Sequence, residues 1–251
     1  MKSVFKFFFK KELQELERLK EENLKLKEKN KKLKAMNSFK NDIISAISHE
    51  FKNPISIING YIDTIIENDL DEKTQKRFLE KIHKNSHRLS ELLDRLYLVT
   101  KLKNKNITPT FSEFRLDIAL KQLIDNERVE LNLAPTTVYA DKELIEIAIS
   151  NLISNALKYS NDKVIVNLDA KYLEVIDKGI GIDEDKITLI TKKFYRISKN
   201  DWDNSLGLGL YIVKKILKLH GTKLEIKSEK GKGSNFYFEI TSLKDKERLQ
   251  Q

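Results

Sequence analysis

His49 stands in the run Ile43-Ile44-Ser45-Ala46-Ile47-Ser48-His49-Glu50-Phe51-Lys52-Asn53-Pro54. On a helical wheel of about 100° per residue with Ile47 at zero, Ile44, Phe51, Ile55 and Ile58 fall at about 20–80° and His49 at about 200°. An imidazole opposite an apolar stripe faces solvent, where it can meet an incoming phosphate. Exposed helical histidines are more often bystanders, and His83 and His87 are read that way. They stand four apart, a metal-pair spacing, but the sequence implies no acidic or cysteine partner for them. Farther along, Asn151 and Asn155 also stand four apart and share one face of an apolar helix. Asp177-Lys178-Gly179-Ile180-Gly181 follows a strand-like run, Leu206-Gly207-Leu208-Gly209-Leu210 opens a helix, and Gly231-Lys232-Gly233-Ser234 comes later. A lone G-x-G is weak evidence. The order of these groups carries the weight. No G-x-x-x-x-G-K-[ST] run is present, which excludes a P-loop, and the lack of cysteine excludes thiolate chemistry.

These residues need elements to hold them. From Lys10 to about Met36 there is no Gly or Pro, and a heptad places Leu16, Asn23, Asn30 and Asn37 at a with Leu19, Leu26 and Leu33 at d. Leucine at d with asparagine at a predicts a weak parallel two-stranded coiled coil, because buried Asn fixes register at a cost in stability. The period continues into a helix from about Ser38 to Glu67, a turn at Asn68–Asp71, and a second helix from about Glu72 to Leu102. A two-helix hairpin cannot bury its stripe alone, so two copies are expected to form a four-helix bundle. Pro54 should bend or soften the first helix near His49. After the polar run Lys103–Asn106 the periodicity changes. Strands are expected near Thr108–Phe111, Arg128–Leu131, Thr136–Ala140, Lys163–Leu168, Tyr172–Asp177, Lys223–Ser228 and Asn235–Ile240. Helices are expected near Arg115–Asp125, Asp141–Tyr159 and Gly207–His220, which makes this part a two-layer α/β sandwich. The predicted organisation is a coiled-coil helix (1–37), a dimeric helical hairpin (38–103), an α/β domain (107–243) and a tail (244–251).

The run Phe39–Pro54 closely resembles the phosphoacceptor box of sensor histidine kinases. The four downstream groups are similar, in order and spacing, to the nucleotide boxes of the histidine kinase branch of the Bergerat-fold ATPases. The resemblance implies an ATP:protein-histidine phosphotransferase of a two-component system, with ATP and Mg²⁺ as its nucleotide and metal. It makes His49 the nucleophile, which works best as neutral imidazole. It also makes Glu50 a base steadying the other ring nitrogen, and gives Asn53 a part in dephosphorylating a partner aspartate. In the ATP pocket, Asn155 offers oxygen to Mg²⁺, and Asp177 accepts from the adenine amino group. Gly179 and Gly181 let backbone approach the base. Gly207, Leu208 and Gly209 open a helix whose free N–H groups and dipole attract phosphate. Lys158 and Tyr159 line the pocket, and Arg196 neutralises γ-phosphate charge. Asn151 stands where hydrolytic relatives of the fold carry glutamate, and an amide is a poor base, so water attack on ATP should be slow. The stretch Ile182–Leu206 resembles an ATP lid ending in Phe194-Tyr195-Arg196. It departs from the family at Thr191, Lys192 and Ser205, and it holds Trp202, the one tryptophan.

The implied partners are a second copy of the chain and a response-regulator receiver domain docking near Ser56, Ile57 and Gly60. The net charge of +9 is mainly lysine without interleaved aromatics and reads as solvated surface, not as a nucleic-acid footprint. The run Phe5–Phe9 is either a peripheral membrane contact or a helix start packed on the dimer mate; both readings stay open. No apolar run reaches the roughly 20 residues that span a bilayer, and no signal peptide is visible. The location expected is the cytoplasm, or the cytoplasmic portion of a membrane sensor. Two rival readings are a Bergerat-fold ATPase or serine kinase with a merely structural hairpin, and a non-enzymatic dimer that binds nucleotide.

Overall fold

The computed structural model describes residues 2–103, 107–196 and 206–244, with side chains in the first helix from residue 18 onward except at 32, 35, 36, 38–43 and 46. Trp202, Ser205, Asn104–Asn106 and the tail from 245 lie outside the described residues. The chain divides into two units, Met1–Lys52 and Asn53–Gln251, each taken by itself.

Helix α1 runs Lys2–Glu67 with Pro54 inside it. The helical assignment passes through Pro54 unbroken, although a proline has no N–H to offer the carbonyl four residues back. In the first unit, Leu19, Leu26 and Leu33 are 56%, 60% and 50% exposed. The d positions of the predicted heptad therefore carry no cover within one chain, as a coiled-coil seam awaiting its partner would.

In the second unit the end of α1 turns into α2, Glu72–Lys103. Asn68 Nδ2 donates to the Thr64 carbonyl, and Asp71 accepts the Thr74 N–H at 2.5 Å, which caps α2. The Tyr61 and Phe78 rings meet at 4.9 Å between centroids across the hairpin. Ile55, Ile62, Ile66, Leu79 and Leu93 remain exposed, so the hairpin keeps an uncovered apolar surface.

The α/β domain holds a five-stranded sheet in the order β2-β4-β5-β7-β6. The strands are β2 Val129–Leu133, β4 Val164–Leu168, β5 Tyr172–Asp177, β6 Leu224–Glu229 and β7 Gly233–Glu239. Only β2 and β4 pair in parallel. A separate two-stranded ribbon joins β1 Ser112–Arg115 to β3 Thr137–Ala140, with helix α3, Leu116–Leu123, following β1. Alternate residues of the strands point at two long helices, α4 Lys142–Tyr159 and α6 Gly209–Leu219. Val164, Val166, Leu173, Val175 and Phe238 of the sheet, and Ile145, Ile149, Leu152, Ile212 and Ile216 of the helices, are fully buried. Each such side chain contributes about 1.5–3 kcal/mol. The expected two-layer arrangement is present.

Three local readings are corrected. The first strand lies at Ser112–Arg115 and not at Thr108–Phe111. Pro109 has no N–H to give a ladder, and the Thr110 N–H is taken by the Asp141 carboxylate at 2.7 Å. A short helix that periodicity did not announce, α5, covers Glu184–Ile187. His87 does have an acidic neighbour, Glu91, with Nδ1 3.4 Å from Oε1. No metal-holding cluster forms among the described residues. Nor is any helix among them long and apolar enough to cross a membrane.

Candidate active site

A cavity of about 290 Å³ opens between α4, the end of β5 and the start of α6. The geometry begins with Asp141, the N-cap of α4, whose carboxylate accepts the Leu144 N–H. The helix it starts buries Leu144, Ile145, Ala148, Ile149, Leu152, Ile153 and Ala156. That leaves Asn151, Asn155, Lys158 and Tyr159 along the cavity side. Asn151 Nδ2 donates to the Ile147 carbonyl at 2.8 Å, which frees its oxygen for the pocket. Gly209 faces both amides: a β-carbon there would lie 3.0 Å from Asn151 Oδ1 and 3.7 Å from Asn155 Nδ2.

Asp177 ends β5 and is 5% exposed. Burial pushes its carboxyl above the ordinary range, opposed by the Gly179 N–H and by the N–H and hydroxyl of Ser234. Gly179 stands behind it, donating to Asp177 Oδ1 at 2.8 Å, and a β-carbon there would fall 2.2 Å from the Tyr159 carbonyl oxygen. Gly181 has φ +63°, and a β-carbon would overlap the Glu229 carbonyl at 2.0 Å. This loop is strapped to the β6–β7 turn. The Gly231 N–H donates to the Ile180 carbonyl, the Ile182 N–H to Ser228 Oγ, and Asp183 takes both Lys186 and Lys230.

On the remaining wall, Leu206, Gly207, Leu208 and Gly209 lead into α6. Phe194 has a left-handed φ of 64°, and its N–H donates to the Gly207 carbonyl at 3.0 Å; Gly207 itself has φ +61°. The chain thus closes on itself at this pair. Arg196 and Tyr195 line the cavity beside it. Thr191 is buried and takes a hydrogen bond from Lys214 at 3.3 Å, while Lys192 is exposed. The opposite ends of α4 and α6 are locked together by His220, which is fully buried. Its Nε2 accepts the Asp141 N–H at 3.1 Å, and its Nδ1 lies 2.8 Å from the Ile216 carbonyl, which fixes the neutral tautomer with hydrogen on Nδ1.

Asn151, Asn155, Lys158, Tyr159, Asp177, Gly181, Arg196, Gly207, Leu208 and Gly209 are brought to this one cavity. Gly179 backs it without lining it. Leu92, Arg95, Ile190 and Phe236 also line it, although no motif pointed to them. Their signal is tertiary: each comes from an element whose own pattern reads only as helix, turn or strand. In the first unit, His49 is exposed and Glu50 is buried, 7% exposed. In the second, Asn53 is exposed on α1.

Residues 39–105 match the His Kinase A (phospho-acceptor) domain, and residues 140–244 match the histidine kinase-, DNA gyrase B- and HSP90-like ATPases. The chain belongs to the histidine kinases. It is 31% identical over 220 residues to the phosphate regulon sensor protein PhoR of Pseudomonas aeruginosa, across 80% of this chain and 50% of that protein. The chain spans about half the length of the curated relatives it matches, from 50% to 60% among the first three. Among solved structures, the histidine kinase AdeS of Acinetobacter baumannii superposes with a TM-score of 0.56 at 25% identity, over 76% of this chain and 96% of that one. The histidine kinase ThkA, solved in complex with the response regulator protein TrrA, shares the fold with a TM-score of 0.55 at 24% identity, over 79% of this chain and 60% of that one. A histidine kinase needs a phosphoacceptor helix and an ATPase module. Both are accounted for in 39–105 and 140–244.

The cavity also fits a nucleotide, and the amide of Asn155 on its wall would suit a hard cation such as Mg²⁺. A buried carboxyl backed by a glycine suits a flat amino-bearing base. A glycine facing two amides leaves a cradle that any β-carbon would narrow.

Proposed function

We propose that the chain autophosphorylates His49 with ATP and passes the phosphoryl group to an aspartate of a response-regulator receiver domain. The observation that carries the reading is the convergence of Asp177, Asn155, Arg196 and the Gly207–Gly209 turn on one cavity, in a chain whose phosphoacceptor domain exposes His49. ThkA, solved with its response regulator, supports the partner.

Asp177 accepts the adenine amino hydrogen, with the Gly179 loop against the base. Asn155 would hold Mg²⁺ through its amide oxygen, and the ion, when bound, would supply charge neutralisation to the phosphates. Lys158, Arg196 and the N-terminus of α6 hold the polyphosphate. A lone pair of a His49 ring nitrogen attacks the γ-phosphorus in line. The nitrogen–phosphorus bond forms as the bond to the ADP oxygen breaks. Glu50 holds the proton of the other ring nitrogen and balances the cation that develops. Asn151, an amide whose N–H₂ is already committed to Ile147, gives water no base, so the γ-phosphate is kept for His49.

Further parts of the reading are these. Residues 1–37 act as a coiled-coil signalling helix, 38–103 as the dimerising hairpin and 107–243 as the ATP-binding domain, followed by the tail 244–251. The functional unit is a homodimer. Asn53 aligns water for dephosphorylation of the regulator. The protein works in the cytoplasm or as the cytoplasmic portion of a membrane sensor, and the Phe5–Phe9 run either touches the bilayer surface or packs on the dimer mate.

One gel tests the core claim. With γ-labelled ATP, wild type takes up acid-labile, base-stable label, and His49→Ala and Asn155→Ala take up none. Label that survives in His49→Ala would overturn the assignment.

A further inference from the structure

We propose that Arg95, on hairpin helix α2, binds the polyphosphate of the nucleotide, so that ATP fastens the ATPase domain to α2. This inference rests on the nucleotide reading above. Helix α2 packs against α6, and Leu92, Val99 and Leu102 of α2 are 6%, 1% and 7% exposed. Arg95 follows Leu92 by three residues and precedes Val99 by four, which puts it on the face those residues bury. It lines the same cavity as Asn155, Lys158, Arg196 and Gly209. Its side chain is exposed, and among the described residues it makes no hydrogen bond or ion pair.

A guanidinium held on a cavity wall without a carboxylate partner is a site for an anion. The one carboxylate lining the cavity, Asp177, is engaged by Gly179 and Ser234. Adenine is neutral, so the charge that Arg95 can meet is the phosphate chain. A planar fork of N–H donors suits phosphate oxygens in pairs, which a lysine cannot reproduce. Lys158 and Arg196 come from the ATPase domain, whereas Arg95 comes from the hairpin. Phosphate held by both ties the ATPase domain to the hairpin at the α2–α6 contact. Arg95 is then a device by which nucleotide charge reports on hairpin position.

The test is calorimetry on the full chain with Mg²⁺, using AMP-PNP and, by competition, adenosine. Arg95→Ala is expected to weaken AMP-PNP by about tenfold, the scale of one charge-assisted pair. Adenosine should bind as to wild type, and Arg95→Lys should recover part of the loss. The salt dependence of AMP-PNP affinity should be shallower in Arg95→Ala. An AMP-PNP affinity within about twofold of wild type overturns the proposal, and so does an equal loss for adenosine, which would mark a packing role. If those results come while wild type binds AMP-PNP and labels His49, the failure is that of Arg95 alone. A wild type that binds no AMP-PNP takes the kinase reading down with it.

Discussion

Gly209 stands directly opposite Asn151, whose amide oxygen lies 3.0 Å from where a β-carbon would sit, a tight contact that Asn151 would have to yield to. The start of α6 and the asparagine face of α4 therefore share one narrow passage, where the proposed mechanism puts the phosphates. Gly209→Ala is expected to push on the Asn151 amide and to weaken ATP binding by about tenfold. The melting temperature should shift little, since the obstructing atoms belong to side chains that can swing. Isothermal titration alongside a thermal melt checks both halves.

Asp177 trades stability for recognition. Because burial raises its carboxyl pKa above the unfolded value, the ionised form costs the fold stability at all pH above the ordinary carboxylate range. Asp177→Asn is expected to raise the melting temperature of the ligand-free protein at neutral pH. The same change removes a charged acceptor, worth about 1.5–3 kcal/mol, and should lower ATP affinity by roughly 10- to 100-fold. A variant that melts lower and binds normally would contradict this.

His220 gives the opposite pH behaviour. Burial lowers its pKa below the ordinary 6.5, with Asp141, the charged group facing it, pulling the other way. The unfolded chain therefore binds the proton first as pH falls. Stability held by His220 is full above about pH 6.5 and declines from there toward the lower folded value. Melting curves of wild type should drop across that window, and those of His220→Gln should be flatter there.

The exposed leucines of α1 predict association. Leu26→Lys with Leu33→Lys places charges where a seam would close, each forfeiting about 1.5–3 kcal/mol of burial. Sedimentation should show the wild-type dimer shifting toward monomer in the double variant.

The proposed role of Asn53 is tested by a variant that separates two activities. Asn53→Ala is expected to leave label on His49 within about twofold while slowing release of phosphate from the regulator by at least roughly tenfold. Both can be read in one time course with purified receiver domain.

Much of this was readable beforehand because local physics dominated. Strand β5 was expected at Tyr172–Asp177 and lies there, since alternating apolar residues end at a glycine-rich loop. The hairpin turn fell at Asn68–Asp71 because Asp71 caps the next helix. What escaped was set by distant partners. Nothing within Thr108–Phe111 says that the Thr110 N–H belongs to Asp141, 31 residues away. The pairing of exposed Arg115 with buried Asp117, whose carboxylate also takes the Thr136 N–H, is equally invisible to periodicity. No motif marks Arg95; its place in the cavity follows from how α2 packs on α6.

The backbone bond between Phe194 and Gly207 works as a drawstring. Phe194 pays about 1 kcal/mol or more in left-handed strain to tie it. The tie runs through backbone atoms alone, so a glycine at 194 would keep the bond and shed the strain.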